Sequence, residues 1–243
     1  MSLEIPKNLK LRLKKFLFFV VFFLVALFLA IPFYDDIFLA NIPRFFPAPL
    51  AGKCIIIDPG HGGPDGGAKG IYGAVEKDIT LKISLLLRDF LQEAGAYVVM
   101  TREVDKDLAD KGILSFNRRK TQDLMRRVSL VHKKRADIFV SIHLNFFRDK
   151  NLRGSQAFYN PVLEKNKKLA FCIQKELIRD LKTTFFALQK NDIYILRESK
   201  VPTVLVEAGF ITNPEEEKLL LTRSYQKKIA SAIYHGILSY FDK

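Results

Sequence analysis

Two histidines and two glutamates are the residues of this 243-residue chain best suited to chemistry. They are His61 in IIIDPGHGG, Glu76 in AVEKDIT, His143 in VSIHLN and Glu207 in VLVEAGF. Three side chains of these types can hold one zinc ion and leave a fourth position open for water, while the remaining carboxylate can move protons. The four residues therefore supply what metal-assisted hydrolysis of an amide bond requires.

The elements that must position these residues alternate between strand and helix along the chain. Buried apolar runs predict strands over 54–57, 97–100, 138–142, 193–196 and 203–206, with a short strand at 158–159. Helical spacing of apolar residues predicts helices over 78–94, 121–134 and 164–181, and Asn213 and Ser224 are expected to cap two more. This alternation predicts an α/β domain with an open, mostly parallel or mixed sheet and helices on both faces.

The four candidate residues occupy equivalent places in this pattern. His61, His143 and Glu207 lie at the ends of predicted strands, and Glu76 opens a predicted helix. Taken singly, each has an ordinary alternative, such as an exposed loop histidine or an acid at a helix N-terminus. In a parallel sheet, however, the strand ends meet at one edge, where α/β proteins bind their ligands. The coincidence of four such positions favours a shared site.

The motifs around these residues, in this order, resemble those of the zinc-dependent N-acetylmuramoyl-L-alanine amidases of the bacterial cell wall, the amidase-3 group. The resemblance covers about residues 53–241 and includes IIIDPGHGGPDGGA, EKDITL, VVMTREVD, ADIFVSIHLN and VPTVLVEAGFITNPEE. It implies one zinc ion bound by His61, Glu76 and His143, with Glu207 as the catalytic carboxylate. It further implies cleavage of peptidoglycan between muramic acid and the L-alanine of the stem peptide.

One segment, DKDLADKGILSFNRRKTQDLMRRV, resembles the germination-specific amidases of spore formers. That likeness implies removal of stem peptides on the way to the muramic lactam of the spore cortex. Two alternatives stay open, namely a general vegetative cell-wall amidase and another zinc peptidase acting on the stems. Arg102 and Arg127 either bind carboxylates of the peptide stem or form surface or structural ion pairs.

The N-terminal region carries an apolar run from residue 16 to residue 31, preceded by basic residues and followed by Asp35 and Asp36. A span of about 20 apolar residues crosses a bilayer. We therefore expect a cytoplasmic basic segment over 1–15, a transmembrane signal-anchor helix over 16–34, a linker over 35–52 and the catalytic domain over 53–243. The charge distribution puts that domain outside the cytoplasm. In a spore former this is the space between forespore and mother cell. Cleavage of the segment as a signal peptide is the alternative.

The net positive charge of the chain limits the kinds of molecule that the protein is expected to bind. The net charge is +13, and residues beyond 49 keep +10, from 33 basic and 23 acidic residues. A lysine-rich solvated surface explains this equally well as attraction to an anionic wall polymer. Nucleic acid does not fit the exported topology. The expected partners are peptidoglycan and, through the anchor, the membrane, and the resemblance leaves room for an accessory activating protein.

The remaining histidines and the cysteines are expected to lie outside the site. His132 and His235 fall on predicted helices away from strand ends, which favours the surface. Cys54 and Cys172 are interpreted as small core residues, with a disulfide between them as the alternative.

Overall fold

The computed structural model describes residues 12, 14–27 and 48–242. The chain divides into two compact units, Met1–Pro47 and Ala48–Lys243. Within the first unit, residues 14–27 are helical, and their side chains are exposed. Over the described parts of the chain, no helix has both the length and the apolar character needed to cross a membrane. The transmembrane helix expected over 16–34 is therefore not supported by the structure.

Much of the predicted N-terminal organisation falls outside the described residues. This applies to 28–34 of the expected span, to 35–47 of the expected linker and to most of the basic segment. The boundaries assigned to these segments stay a prediction.

The second unit is built from six strands and six helices, within residues 48–242. The strands are β1 (Cys54–Pro59), β2 (Tyr97–Met100), β3 (Ile138–Asn145), β4 (Gln156–Tyr159), β5 (Leu188–Gln189) and β6 (Thr203–Phe210). The helices are α1 (Glu76–Glu93), α2 (Phe116–Lys134), α3 (Glu164–Leu181), α4 (Tyr194–Glu198), α5 (Pro214–Leu220) and α6 (Arg223–Phe241). The alternation predicted from sequence is thus present.

The strands form one mixed sheet in the order β2-β1-β3-β6-β4-β5. Strands β2, β1, β3 and β6 are parallel to one another, whereas β4 runs antiparallel to β6 and parallel to β5. The chain leaves β2 on one side of β1 and returns as β3 on the other side. The junction of β1 and β3 is therefore a switch point of the kind where α/β sheets bind ligands.

Helices cover both faces of this sheet, as predicted. Helices α1, α3 and α6 share one buried apolar cluster with Ile55 and Ile57 of β1. Helices α2 and α4 share a second cluster with Ile56, on the opposite face. The alternation of these three isoleucines follows from the two-residue period of a strand.

Some element assignments differ from the predictions. The apolar run at 193–196, predicted as a strand, lies largely in the short helix α4, with Ile195 and Leu196 buried. A short apolar run fits a buried strand and a buried helix equally well, so its sequence does not separate them. Asn213 caps α5 as predicted, accepting hydrogen bonds from two backbone amides. The cap of α6 is Thr222 and not Ser224.

Candidate metal centre and active site

His61, Glu76 and His143 form a compact cluster whose candidate ligand atoms all lie within 4.8 Å of one another. His61 Nε2 lies 3.1 Å from Glu76 Oε1, and His143 Nδ1 lies 3.2 Å from the same oxygen. The two imidazole rings are 4.9 Å apart, measured between centroids, and nearly perpendicular. The structure therefore brings together the three residues that sequence analysis singled out as metal ligands.

Different elements position the two histidines. His61 lies in the loop after β1 and has a left-handed backbone, with φ of 62°. That conformation is costly for a residue other than glycine and needs support from its surroundings. The guanidinium of Arg127 supplies part of this support, since its Nη2 donates to the His61 carbonyl at 2.7 Å. His143 projects from β3. The loop after β1 passes so close to its ring that a Cβ at Gly60 would lie 2.4 Å from the imidazole.

Glu76 is the first residue of α1, and its carboxylate is held from several sides. Its Oε1 accepts a hydrogen bond from the amide of Leu144 at 2.9 Å, and its Oε2 accepts one from the amide of Ala68 at 2.8 Å. Burial alone would raise the pKa of Glu76, but His143 and His61 outweigh it and hold the pKa well below its usual range. The carboxylate of Glu76 is therefore held in its anionic form and in a fixed orientation, as a candidate metal ligand requires.

Glu207 lies on β6 directly across from His143 in the register of the two strands. Its Oε2 is buried and accepts no hydrogen bond from the described residues. Burial raises the pKa of Glu207 to about 7, with His143 and His61 lowering it and Glu76 raising it. A carboxylate with this environment beside the three candidate ligand residues is suited to accepting and returning a proton near neutral pH.

Sequence analysis expected His143 and Glu207 at strand ends, and the structure corrects this detail. Strand β3 continues to Asn145 and β6 to Phe210, so both residues lie inside strands. Beyond His143, the pairing of β3 with β6 shifts register, which marks a bulge at the edge where the site lies.

Asp65 is a part of the site that sequence analysis missed. Its Oδ2 lies 3.0 Å from His61 Nδ1 and 3.2 Å from Lys120 Nζ. Burial would lower the pKa of His61, yet Asp65 and Glu76 together raise it to about 9. The available signal was an acidic residue four positions after His61 within the glycine-rich loop. Such a carboxylate behind a histidine commonly orients the ring toward a metal.

Arg102 and Arg127, for which sequence analysis left both substrate binding and ion pairing open, have structural roles. Each of the two residues is 1% exposed. Arg127 pairs with Asp58 at 2.5 Å and with Asp123 at 2.7 Å, while Arg102 donates to the carbonyl groups of residues 59 and 60. Their guanidinium groups are used to hold the loop that carries His61. Binding of substrate carboxylates by these two arginines is therefore excluded by their burial and their partners.

The segment at 105–128, quoted above for its subgroup likeness, also packs against this loop. Asp107 forms an ion pair with Arg119 of α2, with Oδ1 2.7 Å from Nη2. Asp105 accepts a hydrogen bond from the amide of Gly63 at 2.8 Å. The segment thus connects the start of α2 to the glycine-rich loop beside His61.

The other histidines and the cysteines lie outside the cluster. His132 and His235 are exposed on helices, as predicted. Cys54 and Cys172 are partly buried free thiols, so the alternative of a disulfide between them is not realised.

Comparison with known proteins agrees with this geometry. The family model described as N-acetylmuramoyl-L-alanine amidase matches residues 55–239. The chain is 48% identical to the germination-specific N-acetylmuramoyl-L-alanine amidase of Bacillus subtilis (strain 168), over 79% of this chain and 81% of that protein. It is 34% identical to the N-acetylmuramoyl-L-alanine amidase LytC of the same organism, over 79% of this chain and 36% of that protein.

Among solved structures, the chain is similar to the CwlD amidase from Clostridioides difficile in complex with the GerS lipoprotein. That likeness has a TM-score of 0.75 and 41% identity, and it covers 77% of this chain and 98% of that one. The match to the family model spans well over half of the chain, and the matched region contains all four candidate residues. The chain therefore belongs to the N-acetylmuramoyl-L-alanine amidase family and is an amide hydrolase that acts on peptidoglycan.

Proposed function

We propose that this amidase uses one zinc ion held by His61, Glu76 and His143, with Glu207 as the catalytic carboxylate. The scissile bond is the amide between N-acetylmuramic acid and the L-alanine of the stem peptide. The observation that carries this proposal is the buried, unpartnered Oε2 of Glu207, within the described residues, beside three converging ligand groups.

The residues fit a zinc ion in both chemistry and space. Two imidazoles and one carboxylate are a known ligand set of catalytic zinc sites, which keep a fourth position open. The candidate ligand atoms lie within 4.8 Å of one another, so that one ion can contact all three residues. Glycine at position 67 leaves room for the Glu76 carboxylate, since a Cβ there would lie 2.5 Å from Oε2. When bound, zinc acts as a Lewis acid toward the scissile carbonyl and acidifies water.

The steps assigned to the protein are proton transfers by Glu207. Its carboxylate accepts a proton from the attacking water as the carbon–oxygen bond forms. It then donates that proton to the alanine nitrogen as the carbon–nitrogen bond breaks. An amine leaves poorly unless it is protonated. One carboxylate that acts first as general base and then as general acid is therefore sufficient to complete the hydrolysis. Its location across from His143 keeps it next to the cluster in both steps.

The test uses the full-length protein, loaded with zinc and incubated with purified peptidoglycan. Mass spectrometry should find free stem peptides that begin with L-alanine, and the Glu207→Gln variant should release them far more slowly while retaining zinc. Shortened stems still attached to muramic acid would instead identify a peptidase. Release of stem peptides by Glu207→Gln at the wild-type rate would contradict the role assigned to this carboxylate.

We also propose that the physiological substrate is spore cortex, where removal of stem peptides leads to muramic lactam. The 48% identity to the germination-specific enzyme of Bacillus subtilis supports this assignment, as does the likeness of segment 105–128. Expression of this chain in Bacillus subtilis lacking that enzyme should restore muramic lactam to the cortex. Cortex without muramic lactam, despite normal protein levels and in vitro activity, would argue for a vegetative role.

We further propose that the protein is anchored in a membrane and works with an accessory protein. The first proposal is based on the N-terminal sequence and the second on a solved structure of a similar protein. The apolar run from residue 16 to residue 31 supports a membrane anchor with the catalytic domain outside the cytoplasm. The structure of the CwlD amidase in complex with the GerS lipoprotein supports an accessory protein. With this chain expressed in growing cells, protease added to protoplasts should digest the domain, and resistance of the domain until lysis would contradict this topology.

A further inference from the structure

A cavity of about 160 Å³ opens directly beside the candidate metal cluster. Its wall includes two of the cluster residues together with charged and apolar groups, notably His61, His143, Asp65, Lys120, Leu124 and Ile195. A smaller cavity lined by Pro64, Phe116 and Arg119 shares Asp65 and Lys120 with it. Lys120 therefore lines both recesses, one of which also contains His61 and His143.

Lys120 is the cation of this wall whose charge is available to a ligand. Arg127 also lines the cavity, but it is buried and its charge is neutralised by Asp58 and Asp123. The side chain of Lys120 is 45% exposed, and its ion pair, as far as the described residues go, is with Asp65 at 3.2 Å. An ammonium has three donors, so this contact leaves donors free.

The chemistry of the substrate supplies an anion at a matching place. The scissile carbonyl must lie over the metal cluster, and Lys120 is separated from His61 by the Asp65 carboxylate alone. In a stem whose second residue is joined through its side-chain carboxyl, that residue keeps a free α-carboxylate a few bonds from the scissile amide. A flexible lysine is suited to pairing with such a group at a partly solvated site.

We propose that Lys120 is a specificity residue that binds the free α-carboxylate of the second stem residue. This inference rests on the proposed function, because it assumes that the stem peptide leaves the metal cluster along this cavity. The ammonium then contacts two carboxylates, one from Asp65 and one from the substrate. Lys120 acts in binding and takes no part in the proton transfers.

The test crosses one enzyme substitution with one substrate change. Two soluble muramoyl-tripeptide fragments are compared, one with the α-carboxylate on the second residue and one with a carboxamide there. Full-length wild-type protein and the Lys120→Met variant are assayed on both with zinc bound. The matched control is Arg118→Met, which removes one positive charge from an exposed position on the same helix and lines neither cavity.

The expected result is a loss of about tenfold in kcat/KM for Lys120→Met on the carboxylate fragment, mainly through KM. On the carboxamide fragment, wild type and variant should agree within about twofold, and Arg118→Met should match wild type on both. Equal losses on the two fragments, or no loss on either, would overturn the proposal.

Failure of the proposed function gives a different result. In that case the zinc-loaded wild type cleaves neither fragment. The affinity of the protein for the two intact fragments, measured by calorimetry, then still decides the role of Lys120. A weaker affinity of Lys120→Met that is confined to the carboxylate fragment supports the proposal, and unchanged affinities overturn it.

Discussion

Asp58 and Glu207 are acidic residues of the same sheet, on the two strands that flank β3. They differ in the hydrogen-bond and ion-pair partners of their carboxylates. In the strand register, Asp58 lies across from Ser141, and Glu207 lies across from His143. Asp58 accepts hydrogen bonds from Thr101 at 2.6 Å and Ser141 at 2.7 Å, and it pairs with an arginine. Glu207 Oε2 has no such donor in the described part of the molecule.

The pKa values of the two groups follow from these surroundings. Burial would raise the pKa of Asp58, but Arg127, Thr101 and Ser141 outweigh it and hold that pKa below its usual range. Burial raises the pKa of Glu207 to about 7, because no cation or hydroxyl group offsets it to the same degree. A buried carboxylate with every partner in place stabilises the fold, whereas one left without partners is available for chemistry.

We expect the largest effect for Glu207→Gln, which should lower the rate of substrate cleavage. Loss of a general acid and base should lower the cleavage rate by about 10⁴-fold, at the upper end of the usual range. Zinc content should not change, since Glu207 is outside the ligand cluster. The rate of stem-peptide release and the bound zinc measure both effects. Glu93→Gln, at an exposed position, serves as the control. Full activity of the Glu207→Gln variant would contradict the catalytic role of this carboxylate.

Asp58→Asn should act on stability. Removing one partner of a buried ion pair costs about 3–5 kcal/mol, because the remaining charge is left buried without compensation. Denaturant unfolding of the metal-free protein measures this loss. The matched control is Asp89→Asn, which breaks an exposed pair with Arg88 and should cost under about 1 kcal/mol. Equal effects of the two substitutions would contradict the structural role of Asp58.

Asp65 stands between these extremes, since it supports a candidate ligand without being one. Asp65→Asn should weaken zinc binding by about 10- to 100-fold, because His61 loses the carboxylate that orients its ring. Competition with a chelator measures the affinity, and Asp192→Asn, at an exposed position, is the control. An unchanged zinc affinity would show that Asp65 does not orient His61.

The smallest effect concerns pH. The folded-state pKa of Asp58 is lowered, so its contribution to stability is fully present above the unfolded pKa of about 3.9. It is lost as the pH falls through the lower folded-state pKa, by at most about 1.4 kcal/mol per pH unit. The difference in unfolding free energy between wild type and Asp58→Asn should stay constant from pH 7 to pH 5 and shrink below about pH 4. A difference that grows in acid would reverse this assignment.

Much of the fold and the core of the site could be predicted because they depend on local patterns. The helix expected over 164–181 begins and ends where α3 does, and Asn213 caps α5 as its residue type indicates. His61 and His143 could be grouped because parallel strands bring corresponding ends to one edge of a sheet. Where a local pattern fits two structures, as at residues 193–196, prediction was wrong.

By itself, the sequence determined the kinds of residues at the site, the alternation of strands and helices, and the family. Only the tertiary structure decided which charged groups are paired. Arg127 meets Asp58 and Lys120 meets Asp65 across large separations in the chain, and one cation is buried while the other stays available. The physical reason is that the energy of a charge depends on its burial and on the atoms within a few ångströms, which are set only when distant segments pack.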